Sequence, residues 1–291
     1  MPTHLRTPLT RRTLLTGAIA VATTGMLETS MLTSNGRGMG ALLQPEDYRD
    51  YDAGVLFDES DLPESVDLTD HLPGIFDQGS TNSCVGWAVC TASYVRAKAA
   101  GLQNVYYPSP MALYALGRAR LTGSPKVPLV DRGSQPRSVL AAAATWGLIP
   151  ETAYGFDPAK INQRPTWRAI DAGVGFRLKE YYWVLTHGHA RVLDAKRALA
   201  NGYPVIMSVA VDPSFEDHMT IAIGKPTTQI RGYHMITLVG YRPGTSGTVF
   251  QVANSWGTGW GSNGLGWLSE ERLTDLTTNS IAVIQTVPGE K

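Results

Sequence analysis

The chain is expected to fold as an α+β protein in two lobes that form one unit, and three observations lead there. Helical periodicity dominates from Cys84 onward, the carboxyl-terminal third changes to strand patterning, and connecting segments have ordinary lengths with no internal repeat. The 291 residues, 43% hydrophobic and 17% charged, suffice for one large domain or two lobes. Lys+Arg and Asp+Glu balance at 25 each, which gives neither a nucleic-acid footprint nor a polybasic membrane patch.

The first strong helix follows Cys84. Val85, Ala88, Val89, Ala92 and Val95 recur at three- and four-residue spacing, Asn82 or Ser83 can cap the start, and Gly101 stands where a left-handed terminator belongs. Further helices are expected over "PRSVLAAAATW", Pro136 to Trp146, and over Val192 to Ala200. Strand patterning then takes over in "HMITLVGY" from His234 and in "TVFQVAN" up to Asn254.

The amino terminus is expected to be an export signal covering residues 1–28. Arg11 and Arg12 precede a moderately apolar segment running from Leu14 to about Leu27, with no acid before Glu28. That run is shorter than the roughly 20 residues that span a bilayer, so a retained anchor is the weaker alternative. The expected partner is the twin-arginine export machinery and the expected destination periplasmic or secreted. Residues 29–61, with Gly36, Gly38 and Gly40 and then the acidic "EDYRDYDAGVLFDESD", have the composition of a flexible tether or short pro-segment. Residues 62–291 form the expected catalytic unit.

Two cysteines in an exported chain ordinarily suggest a disulfide. Cys84 and Cys90 share one predicted helix, however, separated by about 9 Å along its axis at roughly 1.5 Å per residue, beyond the usual reach of about 7 Å between Cα atoms. They are expected to stay free, so the fold can be completed in a reducing compartment before export.

Chemistry concentrates around Cys84. At a helix start, free N–H groups and aligned peptide dipoles favour a thiolate, so a lowered thiol pKa is expected. His234 opens a strand and can present an imidazole, while Asn254 closes the next strand and can fix its tautomer. An inert packing cysteine is the plain rival for Cys84, and Cys90 is read that way. His187 and His189 lack further ligands at metal spacing and are expected in a solvated loop. The glycine-rich "GTGWGSNGLG" lacks the lysine and the helix of a phosphate loop. No metal or cofactor is called for.

"DQGSTNSC", "GYHMITLVGY" and "NSWGTGWG" resemble, in order, the nucleophile, histidine and asparagine motifs of the papain-like cysteine peptidases. "YYPSPMALY" and "RGSQPRSVLAAAATWGLIPETAYGF" resemble the family's second-helix opening and substrate loop, so the resemblance covers roughly Leu62 to Val287. It implies a helical amino-terminal lobe and an antiparallel β-rich carboxyl-terminal lobe, with the active-site cleft between them. It implies a monomeric thiol-dependent endopeptidase acting on extended peptides or proteins through a thioester. Cys84 would be the nucleophile, His234 the base and later the acid, and Asn254 the orienting group. Gln78 would share the oxyanion with the Cys84 N–H, Trp256 would shield the histidine–asparagine bond, and Gly133 would pair with substrate backbone.

The chain departs from that pattern at several places. Val85 replaces the usual aromatic after the nucleophile, Thr81 stands where the family has a disulfide cysteine, and Ser134 replaces the second substrate-loop glycine. Met235 replaces a small residue after the histidine, which predicts a shallow pocket for the second residue before the scissile bond. A peptide ligase or transpeptidase using the same thioester, and a catalytically silent peptide-binding relative, are the alternatives. The long inhibitory segment usual in the family is absent, so either residues 29–61 cover the cleft or control lies elsewhere.

Overall fold

The computed structural model describes residues 36–45, 47, 50–57, 61–216, 223–275 and 280–288; the predicted export signal lies outside them. The helices are α1 (Cys84–Ala99), α2 (Pro110–Thr122), α3 (Pro136–Trp146), α4 (Trp167–Asp171), α5 (Gly188–Ala200), α6 (Pro213–Glu216) and α7 (Glu270–Leu273). The strands are β1 (Val66–Asp67), β2 (Phe176–Trp183), β3 (Val205–Val211), β4 (Gly232–Gly244), β5 (Gly247–Ala253), β6 (Leu265–Ser269) and β7 (Ile281–Pro288). The expected α+β organisation is present. Three long helices come first, and the strands form an antiparallel sheet in the order β2-β7-β3-β4-β5-β6, with β1 added beside β4.

Local chemistry explains the helix limits. α1 ends in a Schellman turn: Gly101 has φ 74°, and the Gly101 and Leu102 N–H groups return to Lys98 O and Ala97 O at 2.9 and 3.0 Å. α2 begins with Pro110 after Ser109, whose hydroxyl accepts from Ala112 N at 3.0 Å. α3 likewise starts on a proline and stops at Gly147. α5 begins at Gly188, one turn earlier than the apolar pattern indicates. His187, expected in a solvated loop, occupies the position before that helix with Nδ1 3.0 Å from an Arg191 guanidinium nitrogen.

The spacing of apolar residues along α1 predicts a single buried stripe, but the structure buries the helix on nearly every side. It packs against α2 and α3 on one flank and against β3, β4 and β7 on the other, so Cys90 is interior as expected, and so are Gly86 and Ser93. One apolar cluster is built around this helix, with Leu113, Val139, Leu140 and Leu148. A second fills the sheet side, with Val205, Val209, Leu238, Phe250 and Val252. β3 is buried along its whole length and is apolar except at Ser208, because both of its faces are covered. Among the described residues no helix is long and apolar enough to cross a membrane.

Candidate active site

Cys84 is the first residue of α1 and is fully buried. The sheet presses against it: backbone N–H groups of Met235, Gly40 and Val85 surround the sulfur, and Gly40 N lies 3.3 Å from Sγ. His234, in register opposite Val209, sits one residue before Met235 on β4, and its ring is also fully buried.

The tautomer of that ring follows from hydrogen bonds. Ser255 N, which can only donate, is 2.7 Å from Asn254 Oδ1, so this side-chain atom is the amide oxygen. His234 Nε2 lies 2.7 Å from the same oxygen and therefore carries the proton. In a neutral imidazole that leaves the lone pair on Nδ1, which is buried and has no hydrogen-bond partner among the described residues. Trp256 stacks on the ring with centroids 4.5 Å apart and planes at 30°. Phe215 makes T-shaped contacts with both rings.

Gln78 is aimed in the same way. Ser255 Oγ donates to Gln78 Oε1 at 2.7 Å, which turns Nε2 toward Gly38 O at 3.1 Å and Thr81 O at 2.7 Å. The Thr81 hydroxyl donates to Gln78 O at 2.8 Å and meets Ser83 Oγ at 2.7 Å, and Ser83 Oγ also accepts from Trp87 Nε1 at 3.1 Å. Ser83 holds the cap position of α1 but makes no side-chain cap bond; its oxygen is committed to this network. Cys84, Gln78, His234, Asn254 and Trp256 thus meet where the start of α1 abuts β4. Sequence reasoning did not single out Ser255, the Thr81–Ser83 pair or Phe215. Ser255 adjoins Asn254 in the quoted motif, and that adjacency was the one available signal.

Residues 37–42 lie along this site. Gly38 O accepts from Gln78 Nε2 and from Trp256 Nε1 at 3.3 Å, and Gly38 N donates to Gly79 O at 3.0 Å. Ser134 N donates to Gly40 O at 2.9 Å, Leu42 N to Ser134 O at 3.1 Å, and Ala41 N to Tyr233 O at 3.2 Å. Ala41 and Ser134 form a parallel bridge. The close approach requires glycine: a Cβ on Gly38 would fall 1.9 Å from Thr81 O, and one on Gly40 would fall 1.9 Å from Asn82 O. Gly133, with φ 87°, backs onto Gly40 O in turn. Beyond this stretch, Arg137 binds the Asp50 carboxylate through two guanidinium nitrogens, and Trp183 N donates to Tyr51 O at 2.8 Å.

The covered site corrects the expectation of an acidic thiol. Burial pushes the Cys84 thiol up to about 11, the nearby N–H groups only partly offsetting it and the Asp131 carboxylate adding to the rise. Burial also pushes His234 down to about 4, against the smaller opposing effect of the Asn254 hydrogen bond. Desolvation outweighs the helix start while water is excluded, so both groups are neutral. Cys90, also free and buried, is raised by burial, with the Glu151 charge adding to the rise.

Met235 is 1% exposed and belongs to the same buried cluster as Ala41, Cys84 and Ile206. Among the described residues, no three His, Cys, Asp or Glu side chains gather in a metal-binding arrangement.

Residues 144–284 match the family model described as papain family cysteine protease; that stretch includes His234 and Asn254 and begins after Cys84 and Gln78. An uncharacterized peptidase C1-like protein of Acanthamoeba polyphaga mimivirus is 27% identical over 213 residues, covering 70% of this chain and 66% of the viral protein. The chain therefore spans a little under two thirds of that relative's length. Xylellain, a cysteine protease from Xylella fastidiosa, superposes with a TM-score of 0.72 at 23% identity, covering 87% of this chain and 97% of its own. Procathepsin B from Trypanosoma congolense gives 0.66 at 17% identity, covering 92% and 91%. The family-model match over residues 144–284, the viral relative and the shared architecture agree with the motifs: the chain has a papain-like fold, and its carboxyl-terminal half resembles the papain family of cysteine proteases.

Proposed function

We propose that the protein is an exported thiol-dependent endopeptidase that is held closed by its own residues 36–57. The observation that carries this reading is the position of Gly38 O. A backbone carbonyl of an extended segment accepts from Gln78 Nε2 beside the thiol, as the oxyanion of a peptide substrate would.

In the open enzyme, His234 Nδ1 takes the thiol proton and the Cys84 sulfur attacks the substrate carbonyl carbon. The negative oxygen is received by Gln78 Nε2 and the Cys84 N–H. The C–N bond breaks as the imidazolium returns its proton to the leaving amine. Water, deprotonated by the same nitrogen, then hydrolyses the thioester and frees the thiol. Asn254 holds the proton on Nε2 throughout, and Trp256 keeps water from that bond.

The bound segment itself escapes attack because it presents the Gly40 N–H to sulfur, not a carbonyl carbon. Its pairing with Ser134 supports the reading that this edge grips the backbone of an extended peptide. Arg11 and Arg12, together with thiols that need no oxidation, support export of the folded chain by a twin-arginine route.

A peptide bearing a thiol-directed electrophile, followed by mass mapping, tests the assignment. Labelling at Cys84 that disappears on heat denaturation supports an enzyme. A native protein that binds the peptide but is never labelled is a silent binder.

A further inference from the structure

The nucleophile loop and the substrate-pairing edge are joined through two residues outside the catalytic motifs. Asn82, two residues before Cys84, donates its backbone N–H to both Asp131 carboxylate oxygens at 3.1 and 3.2 Å, and its side-chain amide to Asp131 O at 3.0 Å. Gly133 N, a donor only, lies 2.9 Å from Tyr114 Oη, so the phenol's own proton points to Asp131 Oδ1 at 2.5 Å. Asp131 thereby faces the nucleophile loop, and Tyr114 carries the connection on to Gly133 and hence to Ser134.

Tyr114 is fully buried in α2, and its position is itself secured. The Arg118 guanidinium lies over its ring, 3.9 Å from the centroid, is buried, and is fixed by Asn162 Oδ1 at 3.0 Å and by Ile161 O. The phenol is thus a fixed strut on a long helix.

We infer that Tyr114 and Asp131 form a hydrogen-bonded clasp that sets the spacing between the Asn82–Cys84 loop and the Gly133–Ser134 edge, making both positioning residues for peptide turnover. The inference rests on the peptidase reading for its functional consequence and on geometry alone for the clasp. A chain gripped at Ser134 meets Cys84 correctly only if that spacing is kept, and a displacement of about 1 Å at a reacting centre can cost about 10²-fold in rate. The clasp should matter for a peptide, which bridges both sides, and not for a small reagent that touches only sulfur.

Tyr114→Phe in the full chain removes one oxygen. Amide hydrogen exchange at Ser134 and Leu42, neither of which bonds to Tyr114, is expected to quicken by about fivefold or more, because the whole edge loosens. Loosening this edge also frees the covering segment, so turnover is read against access: the ratio of peptide kcat/KM to the rate of Cys84 alkylation by iodoacetamide is expected to fall about tenfold, while alkylation itself does not slow. Asp131→Asn should act in the same direction, and it carries the test if Tyr114→Phe fails to fold. Unchanged exchange at Ser134 and Leu42 in a folded variant overturns the clasp, as does a parallel loss of alkylation and turnover. A wild-type chain without thiol-dependent turnover would instead overturn the peptidase reading, and the exchange comparison would still decide the clasp.

Discussion

The side-chain amide of Gln78 donates to the backbone carbonyl of Gly38 at 3.1 Å, so the amide proposed for the oxyanion is already occupied by the chain's own amino-terminal segment. This contact depends on Gly38 and Gly40, because added Cβ atoms would meet backbone oxygens at 1.9 Å.

Gly38→Ala and Gly40→Ala are therefore expected to open the site. Overpacking against fixed backbone costs about 1–3 kcal/mol, enough to shift a closed–open balance by roughly 5- to 150-fold. Initial rates of peptide cleavage and of Cys84 alkylation should both rise by a factor in that range. If both rates match the unmodified chain, residues 36–57 do not control access.

The buried, neutral relay makes closure sensitive to acid. His234 is pushed from 6.5 down to about 4 by burial, so the open state binds a proton that the closed state resists. The histidine contribution to closure is complete above about pH 6.5 and is lost as the pH falls from there toward about 4. Cys84, raised from 9.0 to about 11, has the opposite sign: its contribution is complete below about 9 and is lost as the pH rises through 11. Exchange of the Gly40 and Leu42 amides, corrected for intrinsic rates, should show least opening between about pH 6.5 and 9. Opening that is independent of pH down to 4 would contradict the burial argument.

Met235 shares a buried apolar cluster with Ala41 of the covering segment, and under the proposed function it narrows the pocket for the second residue before the cut. A close-packed wall cannot absorb a larger side chain without displacement, so small or β-branched residues should be preferred at the second position before the cut. Met235→Ala is expected to move kcat/KM toward Leu or Phe by about tenfold, the scale of one or two methylenes. A fluorogenic series varied only at that position checks this, and an identical profile in both proteins would remove Met235 from the specificity pocket.

In the proposed mechanism Asn254 acts only by orienting His234, whose Nε2 lies 2.7 Å from Asn254 Oδ1, and Trp256 stacks on the same ring at 4.5 Å. Asn254→Ala should therefore lower kcat while retaining measurable turnover, unlike loss of the sulfur. A fall as complete as that of Cys84→Ala would mean that Asn254 does more than orient.

The residues with local signatures were the legible ones. Cys84 opens a helix, His234 lies near a strand start and Asn254 just past a strand end, so periodicity and motif together indicated their elements. Non-local burial was not legible. Gly38 and Gly40 have the composition of a tether, yet each permits a contact with residues far along the chain. The same coverage reverses the sign expected for the Cys84 pKa, since a helix start favours a thiolate only where desolvation does not dominate. α1 is buried all round because elements from both halves of the chain pack on it, which its own sequence could not indicate. The Tyr114–Asp131 connection joins three separate segments and has no motif at all.

Turnover by Cys84→Ala is the most direct test of the proposed chemistry. Cys84 is buried without supporting any disulfide, so the variant should fold and bind peptide nearly as the parent does while its cleavage falls to background. Residual cleavage by a clean preparation of folded Cys84→Ala, above that of the buffer control, would contradict the assignment of Cys84 as the nucleophile.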